Sequence, residues 1–146
     1  MSNVSGHCEL CKNSGGSLLW ESSECRVVRV DDTDYPGFCR VIWTAHVREM
    51  TDLSLDERNL MMEIVFGVEH VIRRLFSPHK IDLASFGNMT PHLHWHVIPR
   101  WLDDRHFPEP IWGNPHQVVL QQRPIVSDTM LAQALHQHFL SQQTND

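Results

Sequence analysis

Gly87-Asn88-Met89-Thr90-Pro91-His92-Leu93-His94-Trp95-His96-Val97-Ile98-Pro99-Arg100 is the stretch on which the fold of this chain turns. Three histidines alternate with Leu93, Trp95 and Val97, the period of two expected of a β-strand with one apolar face. At ~3.3 Å rise per residue, side chains two apart stand roughly 6.6 Å from each other on the same face. His92, His94 and His96 therefore project together, while the residues between them can bury. Gly87-Asn88 and Pro91 mark a turn just before, whose backbone N–H groups can face an anion. A row of imidazoles beside such a loop suits an anion that is gripped while one histidine acts on it.

Upstream of this stretch, Ile81 to Phe86 reads as a strand, preceded by a long helix. Ser54 and Glu57 form a capping box, and apolar residues at 61, 64, 65, 68, 72, 75 and 76 hold one face for about six turns. Pro78 stops the helix. Leu18–Glu21, Cys25–Val30 and Phe38–Ala45 read as three further strands, with a polar turn at Asp31–Gly37. Met61 and Met62 lie on the helix and need only packing to explain them. Downstream, Trp101–Pro115 has three prolines, two tryptophans and no clean period. It reads as an ordered loop, because its aromatic residues need somewhere to bury. A closing helix is expected from about Asp128 to Gln142, with Leu131, Ala134, Leu135 and Phe139 on one face. Strands around one long helix, with few crossovers, predict an α+β fold with a mainly antiparallel sheet. The 146 residues suit a single domain, with 101–146 as an extension of loop plus helix.

With 41% hydrophobic and 21% charged residues the chain has the balance of a soluble globular protein. A net charge of −6 gives no global basic field, so no nucleic-acid partner is expected. No stretch approaches the ~20 apolar residues that span a bilayer, so no membrane association is expected. The first residues lack a basic region followed by an apolar run, so no signal peptide is read and a cytoplasmic location is expected. Cys8, Cys11, Cys25 and Cys39 are accordingly poor candidates for a disulfide framework.

The histidine row admits two chemistries and one structural explanation. A neutral imidazole near pH 7 is a competent nucleophile towards phosphorus, and its phosphoramidate product is labile enough to be an intermediate. The other imidazoles could then donate to phosphoryl oxygens or the leaving group, with N–H groups of Asn88 to Thr90 stabilising developing charge. Alternatively the row could hold a catalytic zinc, but an extended strand spreads the outer two histidines about 13 Å, too far for one ion unless the strand bends sharply. The structural explanation, an amphipathic strand whose polar face happens to be histidine, asks three uncommon residues to alternate by chance.

His92-Leu-His94-Trp-His96-Val-Ile98 resembles the motif of the histidine-triad family, in which three histidines alternate with apolar residues. Gly87-Asn88, Pro99-Arg100, the Tyr35-Pro36-Gly37 turn and the long helix look like the same family's surroundings, from Cys8 to about Arg100. The resemblance implies a five-stranded antiparallel sheet per subunit, a homodimer with joined sheets, and a nucleotide hydrolase or transferase acting at the α-phosphate of an adenine nucleotide-like substrate. By position, His94 would be the nucleophile forming a nucleotidyl-histidine, and His96 would bind phosphate or assist the leaving group. His92 would order the site or ligate a metal. Asn88 would meet phosphate, with Met89 and Thr90 nearby, and Asp31 or Asp32 would meet the ribose hydroxyls. No cofactor is required for that chemistry. Two alternatives stand beside it: a nucleotide-binding regulatory protein without turnover, and a zinc-dependent hydrolase using the triad as ligands.

Cys8-x-x-Cys11 near the start of the chain lacks the preceding strand of a redox motif. The resemblance offers a structural zinc held by Cys8, Cys11, His46 and His92; free thiols are the other reading. Cys25 and Cys39 read as small core residues, and Trp95 as core. Trp101 and Trp112 either pack or cover the site.

Overall fold

The computed structural model describes residues 7–143. Five strands make one fully antiparallel sheet in the order β1-β2-β3-β5-β4, where β1 is Ser17–Glu21, β2 Cys25–Arg29, β3 Cys39–Trp43, β4 Lys80–Ala84 and β5 His94–Arg100. Helices α1 (Glu9–Lys12), α2 (Leu55–Phe76) and α3 (Asp128–Gln143) complete the α+β architecture, with a 3₁₀ turn at Met50–Asp52. The sequence reading did not include α1 or the 3₁₀ turn, which are too short for periodicity to reveal.

Pleating sends alternate residues of each strand to opposite faces. Cys25, Val27, Cys39, Val41, Trp43 and Val97 pack in one core with Met61, Ile64, Val65, Val68 and Ile72 of α2. On the opposite face, Val28 and Ile42 pack with Cys8 and Leu10 of the N-terminal segment. His94 and His96 share that second face, opposite Ile42 and Arg40 in the β3–β5 register.

Helix α2 starts as its capping box dictates. Ser54 Oγ accepts from the Glu57 N–H at 3.2 Å, and Glu57 Oε1 accepts from the Ser54 N–H at 2.8 Å. Ser77 closes it in the left-handed region (φ 47°), and its N–H donates to the Arg73 carbonyl. Helix α3 buries Leu131, Ala134 and Leu135, and its Phe139 ring packs 4.4 Å from Trp20 of β1. The close approach of α2 and α3 depends on Gly67, where a Cβ would come within 2.5 Å of Phe139.

The segment after β5 is tied down by a buried ion pair. Arg100 Nε donates to Asp104 Oδ2 at 2.8 Å, and Arg100 Nη1 to Asp82 Oδ2 at 2.7 Å. Asp104 also accepts from the N–H groups of Trp101, His106 and Phe107 and from the Tyr35 hydroxyl. Burial raises the Asp104 pKa, but these donors outweigh it and hold the carboxyl at about 2.

Several boundaries differ from expectation. Strand β3 spans 39–43 rather than 38–45, and β4 ends at Ala84 rather than Phe86. Strand β5 begins at His94; His92 lies in a turn before it, its N–H donating to the Thr90 carbonyl at 2.8 Å. The histidine face of β5 is itself buried, because the N-terminal segment and the loop after β5 fold over it. Trp95 packs against the core as expected, half-buried, with its indole N–H donating to Met50 Sδ.

Candidate functional site

His94 opens β5, where Ser85 holds its carbonyl through a 2.7 Å hydroxyl bond. Its ring Nδ1 lies 2.6 Å from the His92 carbonyl. A carbonyl only accepts, so Nδ1 carries the hydrogen and Nε2 presents a lone pair. Burial lowers the His94 pKa; the His92 carbonyl opposes this, and the charge of Arg40 adds to the lowering. The ring is thereby kept neutral and nucleophilic. His94, Thr90, Arg40 and the N-terminal residues Leu10 and Asn13 line a cleft of about 290 Å³.

His96 stands beside it, with ring centroids 4.9 Å apart and planes nearly perpendicular. Three aromatic rings surround His96: Phe38 at 5.6 Å, Trp112 at 5.1 Å and Phe86 at 6.2 Å. Burial, then the neighbouring His94 and Arg40, push its pKa down to about 3. Its Nδ1 is buried without a hydrogen-bond partner among the described residues.

His92 is tied the opposite way. Its Nε2 donates to the Trp43 carbonyl at 2.6 Å, which leaves Nδ1 as the lone-pair nitrogen. That nitrogen lies 3.4 Å from Cys8 Sγ, 3.4 Å from Cys11 Sγ and 3.2 Å from His46 Nδ1, and Cys11 Sγ is 3.4 Å from His46 Nδ1. All four ligand atoms fall within 4.8 Å of one another. A tetrahedral ion with Zn–N of ~2.0–2.1 Å and Zn–S of ~2.3 Å requires N···N and N···S separations of roughly 3.3 and 3.6 Å. The donor set, the spacing and the orienting bond from His92 to a carbonyl all fit a structural zinc. Burial lowers the His92 pKa, so its ring is neutral, as a ligand must be; burial and Cys8 raise the Cys11 thiol.

The remaining expected residues are distributed unevenly. Thr90 lines the cleft with His94, whereas Asn88 and Met89 are exposed on the loop before β5, Met89 at 97%. Asp31 is exposed in the β2–β3 turn, and Asp32 Oδ1 accepts from the Asp34 N–H at 3.0 Å; neither lines the cleft. The two tryptophans divide between the two readings. Trp101 is buried under the Arg123 guanidinium, 4.3 Å away, while Trp112 covers His96. Arg40, Phe38, Phe86 and Ser85 were not singled out from sequence. Arg40 carried a signal, as a charge inside an otherwise apolar strand. A cavity of about 990 Å³ lies between α2, α3 and β1 and contains neither His94 nor His96.

Among the described residues, no helix is long and apolar enough to cross a membrane. A family model described as the HIT domain matches residues 12–102. An AP-4-A phosphorylase of Mycobacterium tuberculosis is 31% identical over 85 residues, which cover 54% of this chain and 44% of that protein, so the match spans less than half of the relative. A histidine triad protein of Marinobacter aquaeolei superposes with a TM-score of 0.68 at 24% identity, over 88% of this chain and 91% of the other. One from Bradyrhizobium japonicum gives 0.67 at 23% identity, over 86% and 91%.

Proposed function

The chain belongs to the HIT domain family, and from that premise we propose that it is a nucleotide hydrolase or transferase working through a covalent nucleotidyl-His94. The observation that carries the reading is the bond from His94 Nδ1 to the His92 carbonyl, which leaves Nε2 unprotonated at a cleft. Nε2 attacks the α-phosphorus of an adenine nucleotide-like substrate, forming N–P as the bond to the leaving group breaks. His96 is neutral and so carries one N–H, available to a phosphoryl oxygen or to the departing atom. An acceptor then attacks the same phosphorus, expelling the imidazole. With water the product is the nucleoside monophosphate.

The relative named AP-4-A phosphorylase supports a second acceptor, inorganic phosphate, which would yield the nucleoside diphosphate instead. Product analysis with a dinucleoside polyphosphate, with and without added phosphate, separates the two. Turnover that persists undiminished in His94→Asn would refute the covalent reading. AMP binding without turnover of phosphoramidates or dinucleoside polyphosphates would replace it with a binding role.

Cys8, Cys11, His46 and His92 would hold the structural zinc, fastening the N-terminal segment to the sheet. The reacting imidazoles lie outside that cluster, so the ion's part is to fix His92 rather than to activate substrate. The proposed assembly is a homodimer with joined sheets; β1 and β4 are the two sheet edges, and light scattering of the purified chain tests it.

A further inference from the structure

We propose that Arg40 binds the phosphate attacked by His94, taking two non-bridging oxygens on the Nε and Nη2 edge of its guanidinium; this rests on the nucleotidyl-transfer reading above. Arg29, Arg100 and Arg123 are matched by carboxylates, at Asp128, at Asp82 and Asp104, and at Asp103, while Arg26 spends its guanidinium on the carbonyls of Leu10, Asn13 and Ser14. Arg40 meets no carboxylate among the described residues. Its Nη1 donates to the Gly15 carbonyl at 2.9 Å and its guanidinium lies 5.8 Å from the Phe38 ring. Its Nε is buried without a partner.

An unmatched charged donor in a half-buried position is costly to keep, and an anion relieves it. Arg40 faces the place where one would sit. It lies opposite His96 in the β3–β5 register and lines the cleft with His94 and Thr90. Arg40 brings a positive charge into the cleft beside His94; Glu9, at the cleft's edge, is bonded to Asn13. A guanidinium with Nη1 already occupied keeps the side-on fork that matches two phosphate oxygens. As the N–P bond forms, charge spreads over those oxygens, where a fixed cation stabilises it.

The test compares Arg40→Gln and Arg40→Lys with the unaltered full chain, reading kcat/KM for adenosine 5′-phosphoramidate and the affinities of AMP and adenosine. Arg40→Gln should lower kcat/KM by about 100-fold, the scale for loss of one transition-state donor. It should weaken AMP while leaving adenosine within about twofold, and Arg40→Lys should recover part of the loss. Arg26→Gln controls for a loosened N-terminal segment, because Arg26 donates to the carbonyls of Leu10, Asn13 and Ser14 but does not line the cleft. It should leave the ratio of AMP to adenosine affinity unchanged. Equal weakening of AMP and adenosine by Arg40→Gln, or unchanged kcat/KM, overturns the assignment. If His94→Asn abolishes turnover and Arg40→Gln does not alter it, only the role of Arg40 fails. If His94→Asn remains active, the underlying reading fails instead.

Discussion

His92 and His94 are two residues apart, both buried, and each has one ring nitrogen tied to a backbone carbonyl, yet the ties run through opposite nitrogens. His92 donates from Nε2 and turns Nδ1 towards two thiols and a second imidazole. His94 donates from Nδ1 and turns Nε2 towards the cleft. One residue type presents a different ring nitrogen according to which carbonyl it meets, as suits a ligand in one case and a nucleophile in the other. The chemistry of a histidine row is thus written in the backbone around it, not in the spacing of the histidines.

The sharpest way to break this contrast is to remove one end. His94→Asn should reduce kcat on adenosine 5′-phosphoramidate by about 10⁶-fold, the scale for losing a nucleophile. Its melting temperature and bound zinc, read by calorimetry and atomic emission, should match the unaltered chain.

Asp104→Ala provides a reference away from both histidines. Breaking a buried ion pair typically costs about 3–5 kcal/mol, to be read from the denaturant midpoint. The same carboxylate makes a pH prediction. Its pKa is about 2 in the fold against an ordinary 3.8, so the unfolded chain binds its proton first. The stabilisation is present above pH 4 and is lost as pH falls towards 2. A chain lacking Asp104 should lose less stability over that window, which acid unfolding curves would show.

Cys8→Ser attacks the other end of the row. Bound zinc should fall from one ion per chain towards none, and stability should drop by about 2–4 kcal/mol, comparable to losing a ligand present at 100–1,000 times its dissociation constant. If His92 really is a ligand, chelation of the unaltered chain should reproduce that drop and leave Cys8→Ser unmoved. The smallest effect belongs to Ser85→Ala. It removes one hydrogen bond, about 1 kcal/mol, from the His94 carbonyl. A fall in kcat of about fivefold without zinc loss would confine its influence to the nucleophile.

Much of this was legible in the chain. The capping box at Ser54 and the long apolar face of α2 are local signals, and local signals survive folding. Alternation around the histidines correctly gave a strand, but not its beginning. His92 is drawn out of the ladder by distant partners, Trp43 and Cys8, which no window of neighbouring residues contains. Nor could alternation show that the histidine face would be buried. Trp112 arrives there from a loop without periodicity, and Leu10 from a helix of one turn. Arg40 was visible as a charge in an apolar strand, but its significance depends on the residues opposite it in the sheet.

The position of His92 also bears on when during folding the reactive imidazole comes into being. Its ring is gripped by residues 84 and 49 positions away, at Cys8 and Trp43, while its carbonyl sets the neighbouring tautomer. A nascent or partly unfolded chain possesses the His94 side chain but not the hydrogen bond that orients it. If His94 acts as proposed, such a chain would not trap nucleotide covalently before its remote segments have met, and competence for chemistry would arrive together with completed tertiary structure.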